Sequence, residues 1–397
     1  MENLSASISL LCCGKYREDR VVRAFCEIYG DDCERALRGY ASVCETLLSR
    51  GETLSDYLFL LAVGAGNPLL RRGSPDYSPA LKKAVENDLS VFSALASLTA
   101  ECVTADLRER FSLAEELRFP IYENGKTQIT PESVRAYADR FGSPFFEKHR
   151  AFFFEGGELK PAAEFDPIRL SDLKNYRLQR RRIIDNTLCF LNGKKAQNVL
   201  LYGDRGTGKS STVKALVNEY PELRIVQIPK GEILGLYRVY EILKELPLKF
   251  ILFLDDITFN DGDEGYSFLK QVLEGSVIPM PENCLIYATT NRRHILKETN
   301  SERSGDELHA ADARDENMSL ADRFGLYVTF SSPNKDEYLD IVRQIAADRG
   351  LTMEIDELER FAERFALKKC GRSPRTARQF VDFLEARMEL KLDYEEI

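Results

Sequence analysis

Residues 200–216 read LLYGDRGTGKSSTVKAL, with three glycines, Gly203, Gly206 and Gly208, inside six residues. Glycine weakens helix and strand alike, so such a cluster calls for a specific use. The spacing Gly203, four residues, Gly208, Lys209, Ser210 matches the nucleotide phosphate-binding loop. Residues 198–202 read as a short buried strand, and residues 210–220 as a helix with Val213, Leu216 and Val217 on its apolar side. Glycines let the chain curl until successive backbone N–H groups point at phosphate oxygens, and the following helix adds its positive end. The candidate nucleotide-binding residues are therefore Gly203, Asp204, Arg205, Gly206, Thr207, Gly208, Lys209, Ser210 and Ser211. Lys209 would reach the β- and γ-phosphates, and Ser210 would place its hydroxyl on Mg²⁺. An ordinary glycine-rich strand-to-helix turn is the bland alternative. A strand before and a helix after argue against it.

Composition bounds the rest. A chain of 397 residues exceeds what one core usually organises, so two or three domains are expected. With 44% hydrophobic and 30% charged residues it reads as globular and soluble. A formal charge of −9 excludes a wholesale nucleic-acid coat and leaves room only for a local basic patch. The nine cysteines lack paired zinc spacing and fit a reducing cytoplasm; adjacent Cys12 and Cys13 are poor joint ligands for one metal. No leader pattern opens the chain, and the apolar run LFLLAVGAG at 58–66 is too short for a bilayer. The expectation is a cytoplasmic protein without a membrane span.

Two regimes divide the chain near residue 165. Before it the patterns are helical: CERALRGYASVCETLLSRG lines Ala36, Tyr40, Val43, Leu47 and Leu48 along one face, and SVFSALASLTAECV repeats the period. The stretch FFFEGGELKPAAEFDPIRL reads as a linker broken by Gly156, Gly157, Pro161 and Pro167. Beyond it NVLLYG, LRIVQIP, KFILFLDD, CLIYATTN and LYVTF alternate with helical segments, the pattern of a five-stranded parallel sheet covered on both faces. The expected fold is α/β, with an all-α N-terminal domain at 1–155, a linker at 156–168, a nucleotide-binding domain at 169–332 and a helical lid at 333–397.

A phosphate loop needs an acidic partner. KFILFLDDITF ends in Asp255 and Asp256, which sets two carboxylates at the carboxyl edge of the sheet beside the loop. Asp255 would hold Mg²⁺ directly or through water. Asp256 stands where hydrolysing proteins of this class commonly carry a glutamate that polarises the attacking water, and it is one methylene shorter.

With these motifs in place the chain resembles the AAA+ ATPases over roughly residues 166–390. CLIYATTN ends in Thr290 and Asn291, similar to the polar sensor 1 beside the γ-phosphate; Arg323 in SLADRFG matches the arginine finger that completes a neighbouring subunit's site. Arg375 in GRSPRTARQF matches the sensor 2 arginine of a small helical lid, and residues 166–190 resemble the segment that lines the adenine pocket. The resemblance implies ATP and Mg²⁺ as ligands, a homo-oligomer that can be transient, an unidentified protein client, and Asp256, Asn291, Arg323 and Arg375 as catalytic residues. Two departures stand out: Asp256 in place of glutamate, and Lys174-Asn175-Tyr176 where many relatives carry a glycine turn. Asp255-Asp256 followed by Ile257-Thr258-Phe259 resembles the branch of replication initiators and helicase loaders. LEGSVIPMPENCLIYATTNRRH and SLADRFGLYVTF are similar to a bacterial AAA+ family of unknown function with a helical N-terminal region.

Local reading adds to these assignments. Ser373 reads as an N-cap and Pro374 as the first helical residue, so Arg375 sits in a first turn where its charge opposes the helix dipole. A site that greets phosphate justifies that cost, an ion pair would do so too, and Arg378 competes for the role. Arg323 has Asp322, Asp312, Asp315 and Glu316 nearby as alternative structural partners. The basic run KNYRLQRRR, with Lys174, Arg177, Arg180, Arg181 and Arg182, suits nucleic-acid phosphates or a solvated helix face, and a single aromatic residue, Tyr176, falls short of the interleaving that stacking on bases calls for. His149, His294 and His309 share no metal spacing, and the acidic stretch 298–316 reads as a mobile loop at a subunit-facing edge. Asn334-Lys335-Asp336 resembles a guanine-reading motif but has Glu337 where aspartate is required, which favours ATP over GTP. Two functions remain open: an assembling ATPase that remodels or loads a partner held by the N-terminal region, and an ATP-gated binding module with little hydrolysis.

Overall fold

The computed structural model describes residues 2–64, 78–258, 263–275, 277–291, 323–369 and 371–392. Contacts divide the chain into two units, residues 1–148 with 245–247, and residues 149–244 with 248–397.

The first unit is built from helices α1 (Glu2–Ser9), α2 (Gly14–Glu18), α3 (Arg20–Ile28), α4 (Cys33–Arg50), α5 (Leu54–Gly64), α6 (Pro79–Ala96), α7 (Ala100–Phe111), α8 (Pro131–Phe141) and α9 (Pro144–Lys148). Caps set their limits: the Asp19 carboxylate accepts from Val21 N and Val22 N at the head of α3, and Thr130 and Ser133 close a capping box on α8. Phe25, Tyr40 and Phe92 fill one apolar core, with the residues expected along α4 inside it except Leu48, which is exposed. No strand falls among the described residues of this unit, and no described helix is long and apolar enough to cross a membrane.

The second unit runs β1 (Ala151–Glu155), β2 (Glu158–Pro161), α10 (Arg177–Leu191), β3 (Val199–Gly203), α11 (Lys209–Glu219), β4 (Leu223–Gln227), α12 (Leu236–Leu243), β5 (Lys249–Leu254), α13 (Glu264–Glu274), β6 (Cys284–Thr290) and β7 (Leu326–Phe330), then α14 (Lys335–Asp348), α15 (Ile355–Lys368) and α16 (Pro374–Glu389). The sheet has seven strands in the order β2-β1-β4-β5-β6-β3-β7, and only β1 and β2 are antiparallel. The five expected strands are present, but the sheet is mixed and two strands wider. The additional pair comes from residues read as helical domain and linker. Phe152 and Phe154 are buried while Phe153 is exposed, the period-2 signature of a strand. Gly156 and Gly157 have φ of +60° and +83°, so what reads as a chain break is the two-residue turn of a hairpin. β1 then pairs in parallel with β4, Ala151 opposite Ile225.

The order β5-β6-β3 brings the carboxyl ends of three strands together at one edge, and so collects Asp255, Asn291 and the phosphate loop. A second apolar cluster, including Tyr338, Phe361 and Phe380, gives α14, α15 and α16 a core of their own.

Candidate functional site

Gly203 ends β3 at φ +137°, and a Cβ there would lie 2.0 Å from the carbonyl oxygen of Phe330 on β7. Only glycine lets the loop leave so close to its neighbour. The loop is locked from the same strand: Asp204 N donates to Phe330 O at 3.1 Å, while Ser332 N and Oγ donate to Asp204 Oδ2 at 2.8 and 2.6 Å. Those bonds hold the Asp204 carboxyl below its ordinary range. The loop then enters α11, whose first residue is Lys209.

Lys209 is 6% exposed, and its Nζ donates to Gly203 O and Asp204 O, both at 2.8 Å, and to Asn291 Oδ1 at 2.9 Å. Burial pushes its ammonium below the usual lysine range, against the opposing pull of Asp256, Asp204 and Asp255. Ser210 Oγ donates to Asp255 Oδ1 at 2.5 Å, and Thr289 Oγ1 donates to the same oxygen at 2.7 Å. Thr289 Oγ1 also accepts from Asp256 N at 2.8 Å, and Asn291 Nδ2 donates to the Asp256 carboxylate. Asp256 has φ +51°, a left-handed conformation in which aspartate is enriched among non-glycine residues. Strand ends β5 and β6 thus tie two carboxylates, an amide, a hydroxyl and the loop lysine into one network.

These groups line a cavity of about 610 Å³. Arg205 to Thr212 form its floor, and Ile341 and Ile345 of α14 and Arg375 of α16 contribute from the C-terminal helices. Gly203 and Asp204, expected to touch nucleotide, do not line it; they anchor the loop instead. Arg375 sits in the first turn of α16 after Ser373, which caps Thr376 N, and its own backbone N donates to Gly206 O at 3.1 Å. Arg378 lies on the same wall and reaches Asp172 O at 3.4 Å.

Arg323 is placed apart from this cavity. It pairs with Glu274 at the end of α13, and the upstream acids Asp312, Asp315, Glu316 and Asp322 lie outside the described residues. Outside them too lie His294, His309, Phe259 and the acidic stretch 298–316, while the His149 ring lies 6.5 Å from that of Phe152.

Three features escape a reading of sequence. Thr289, one residue before the expected sensor pair, bridges both acids. Asn175 and Tyr176 take φ of +61° and +55°, so a left-handed turn is made here without glycine, held by Tyr176 Oη donating to Ser331 O at 2.6 Å. Arg180, read as part of a surface run, lines the cavity. Its period was the available signal: 180, 183, 187 and 190 form one helical stripe, and Ile183, Thr187 and Phe190 are buried. Asn334, by contrast, is explained as a cap, exchanging hydrogen bonds with Glu337 at the head of α14.

Strand order, phosphate loop and acidic strand end define the class, an α/β P-loop protein of AAA+ type. The chain belongs to the family described as Protein of unknown function (DUF815), which it matches over residues 147–388. Solved structures to which it is similar include the Holliday junction branch migration motor RuvB of Thermotoga maritima, at 19% identity over 57% of this chain and 67% of that one, with a TM-score of 0.39. A point mutant of that motor shows 18% identity at the same coverage and TM-score of 0.39. No curated protein matches the chain.

Proposed function

We propose that this protein binds ATP with Mg²⁺ and hydrolyses it to remodel, load or recruit a macromolecular partner. The observation that carries the reading is the single network joining Lys209, Ser210, Asp255, Thr289, Asp256 and Asn291 at the floor of one cavity. Lys209 supplies the point charge for the β- and γ-phosphates and Arg375 a second cation from the lid side. Asp256, oriented through its carboxylate by Asn291, is the base that accepts the proton of the attacking water. The donor set fits Mg²⁺: Ser210 and Asp255 offer hard oxygens, and no cluster of three or more metal-binding side chains occurs among the described residues. Mg²⁺ is typically held by one or two protein oxygens, with phosphates and water supplying the rest, and it would neutralise developing phosphate charge there. Catalysis is assigned to Asp256, Asn291, Arg323 and Arg375.

Phosphate release from ATP and Mg²⁺ by the full chain tests this reading, and no release at any protein concentration overturns it. Asp255→Ala is expected to keep part of the affinity for ATP and to lose the Mg²⁺ dependence of turnover. Turnover that still follows Mg²⁺ in the variant would remove Asp255 from that role.

A second reading, an ATP-gated switch with slow hydrolysis, has its own support. The lid touches the phosphate loop directly, Arg375 N on Gly206 O, so occupancy of the loop bears on lid position. The shorter Asp256 agrees with slow chemistry. For nucleic acid as a partner the basic run offers less than its sequence suggests: Lys174 pairs with Asp348 and Arg181 with Asp185, leaving Arg177 and Arg182 as its exposed arginines without an ion pair among the described residues. If duplex DNA binds, replacing both with alanine should reduce the log–log salt slope by up to about 1.8, at about 0.9 per phosphate contact. Absence of wild-type binding at low salt excludes nucleic acid as a direct partner.

A further inference from the structure

We infer that Arg180 binds the part of the nucleotide shared by ATP and ADP, gripping it from α10 while Arg378 grips from the lid. The inference rests on the ATP reading above. α10 turns Arg180 onto its buried stripe, so the guanidinium is drawn toward the cavity. Burial pushes it down to about 10, and the like charge of Arg177 adds to the effect. Yet among the described residues no carboxylate pairs with it, and its one hydrogen bond is the 3.4 Å contact of Nη1 with Lys174 O. Acids are not scarce in a chain with 64 of them. Several part-buried cations of this unit are matched, Lys174 to Asp348, Arg349 to Asp382 and Glu385, and Arg372 to Glu363, whereas Arg180 shares its lack of an ion pair among the described residues with Arg375 and Arg378 on the same cavity wall. Withdrawing an unpaired guanidinium from water costs free energy unless something else supplies the acceptors. A nucleotide in this cavity would supply them.

The anchoring contacts indicate which part. The backbone of Arg375, through its N to Gly206 O, sits on the phosphate loop, whereas the guanidinium groups of Arg180 and Arg378 reach Lys174 O and Asp172 O. That 172–174 wall carries Leu173 and, with Ile168, Ile341 and Ile345, makes the apolar lining suited to a base. The two arginines therefore serve the α-phosphate and ribose end, whose acceptors ATP and ADP have in common, and leave the γ-phosphate to Lys209 and Arg375.

The test is calorimetric titration of ATP and ADP into the full chain and its Arg180→Met, Arg180→Lys and Arg375→Met variants, with ligand-free melting alongside. Arg180→Met should weaken both nucleotides by the same factor, about 10- to 100-fold, as loss of a charge-assisted hydrogen bond does. KM should rise with kcat held, the mark of binding lost equally from ground and transition states. Arg180→Lys should fall between, keeping charge and losing the planar fork. Arg375→Met should weaken ATP more than ADP. Without ligand, Arg180→Met should melt no lower than wild type, because the cation gives up no ion pair and only the long hydrogen bond to Lys174 O, while its desolvation cost is removed. Unchanged affinities, a loss confined to ATP, or a lower ligand-free melting temperature overturns the inference. Wild-type protein that binds neither nucleotide overturns the ATP reading and this inference together, a result distinct from wild-type binding that Arg180 does not affect.

Discussion

Lys209→Ala abolishes ATP binding in a titration with a fluorescent ATP analogue, with an expected loss on the order of 10²- to 10⁴-fold. Each charge-assisted hydrogen bond contributes about 1.5–3 kcal/mol, and the ammonium would make two of them to the β- and γ-phosphates. Position makes the loss larger than at a surface lysine. Lys209 is buried at the head of α11, where the exclusion of water strengthens its attraction for phosphate. The alanine also leaves Gly203 O and Asp204 O without the donor they share. Loop distortion could then mimic a binding defect, so Lys209→Met, which keeps the stem volume and drops the charge, is measured beside it with melting temperatures for both. Two folded variants with undiminished affinity would refute the phosphate-loop assignment.

What made this site legible is locality. Glycine spacing, a lysine and a hydroxyl within eight residues describe one loop, and an apolar run ending in two acids describes one strand end; neither needs the fold to be known. The network between them was only half visible, because Thr289 matters through the register that sets β6 between β5 and β3. Register is a property of pairing, and a single chain segment does not carry it. The hairpin at 151–161 shows the same limit from the other side. Its alternation spans three phenylalanines, too few to outweigh two glycines and a proline, and β1 earns its place by pairing with β4, some seventy residues later. Arg180 escapes for a different reason: charge density in KNYRLQRRR masks the helical period that sets one of its arginines apart. The left-handed turn at Asn175 and Tyr176 carried no glycine to announce it, since tertiary packing of Tyr176 against Phe330 holds it instead.

Arg323 decides between the two functional readings, and its variant carries the largest expected effect on turnover. The arginine does not line the cavity of its own chain; it stands with Glu274 at the end of α13, where an ion pair holds the guanidinium. If it is a finger supplied in trans, catalysis requires two subunits, because the arginine must enter the neighbour's site as charge develops on the phosphoryl oxygens. Specific activity then rises with protein concentration. Arg323→Ala binds ATP almost normally, since the finger acts chiefly in the transition state, and loses activity by roughly 10³- to 10⁵-fold. Glu274→Gln separates the pair from the chemistry: it removes the carboxylate charge, keeps Arg323, and should retain most of the turnover. Mixing Arg323→Ala with Lys209→Ala restores part of the activity, because one subunit contributes an intact phosphate loop and the other an intact finger. Activity that does not depend on concentration, or no rescue in mixtures shown to co-assemble, excludes a shared site. Lost turnover in Glu274→Gln equal to that in Arg323→Ala would assign the arginine to holding α13 in place. Wild-type protein without hydrolysis at any concentration, yet with ATP-dependent lid ordering in hydrogen exchange, makes the gated module the better account.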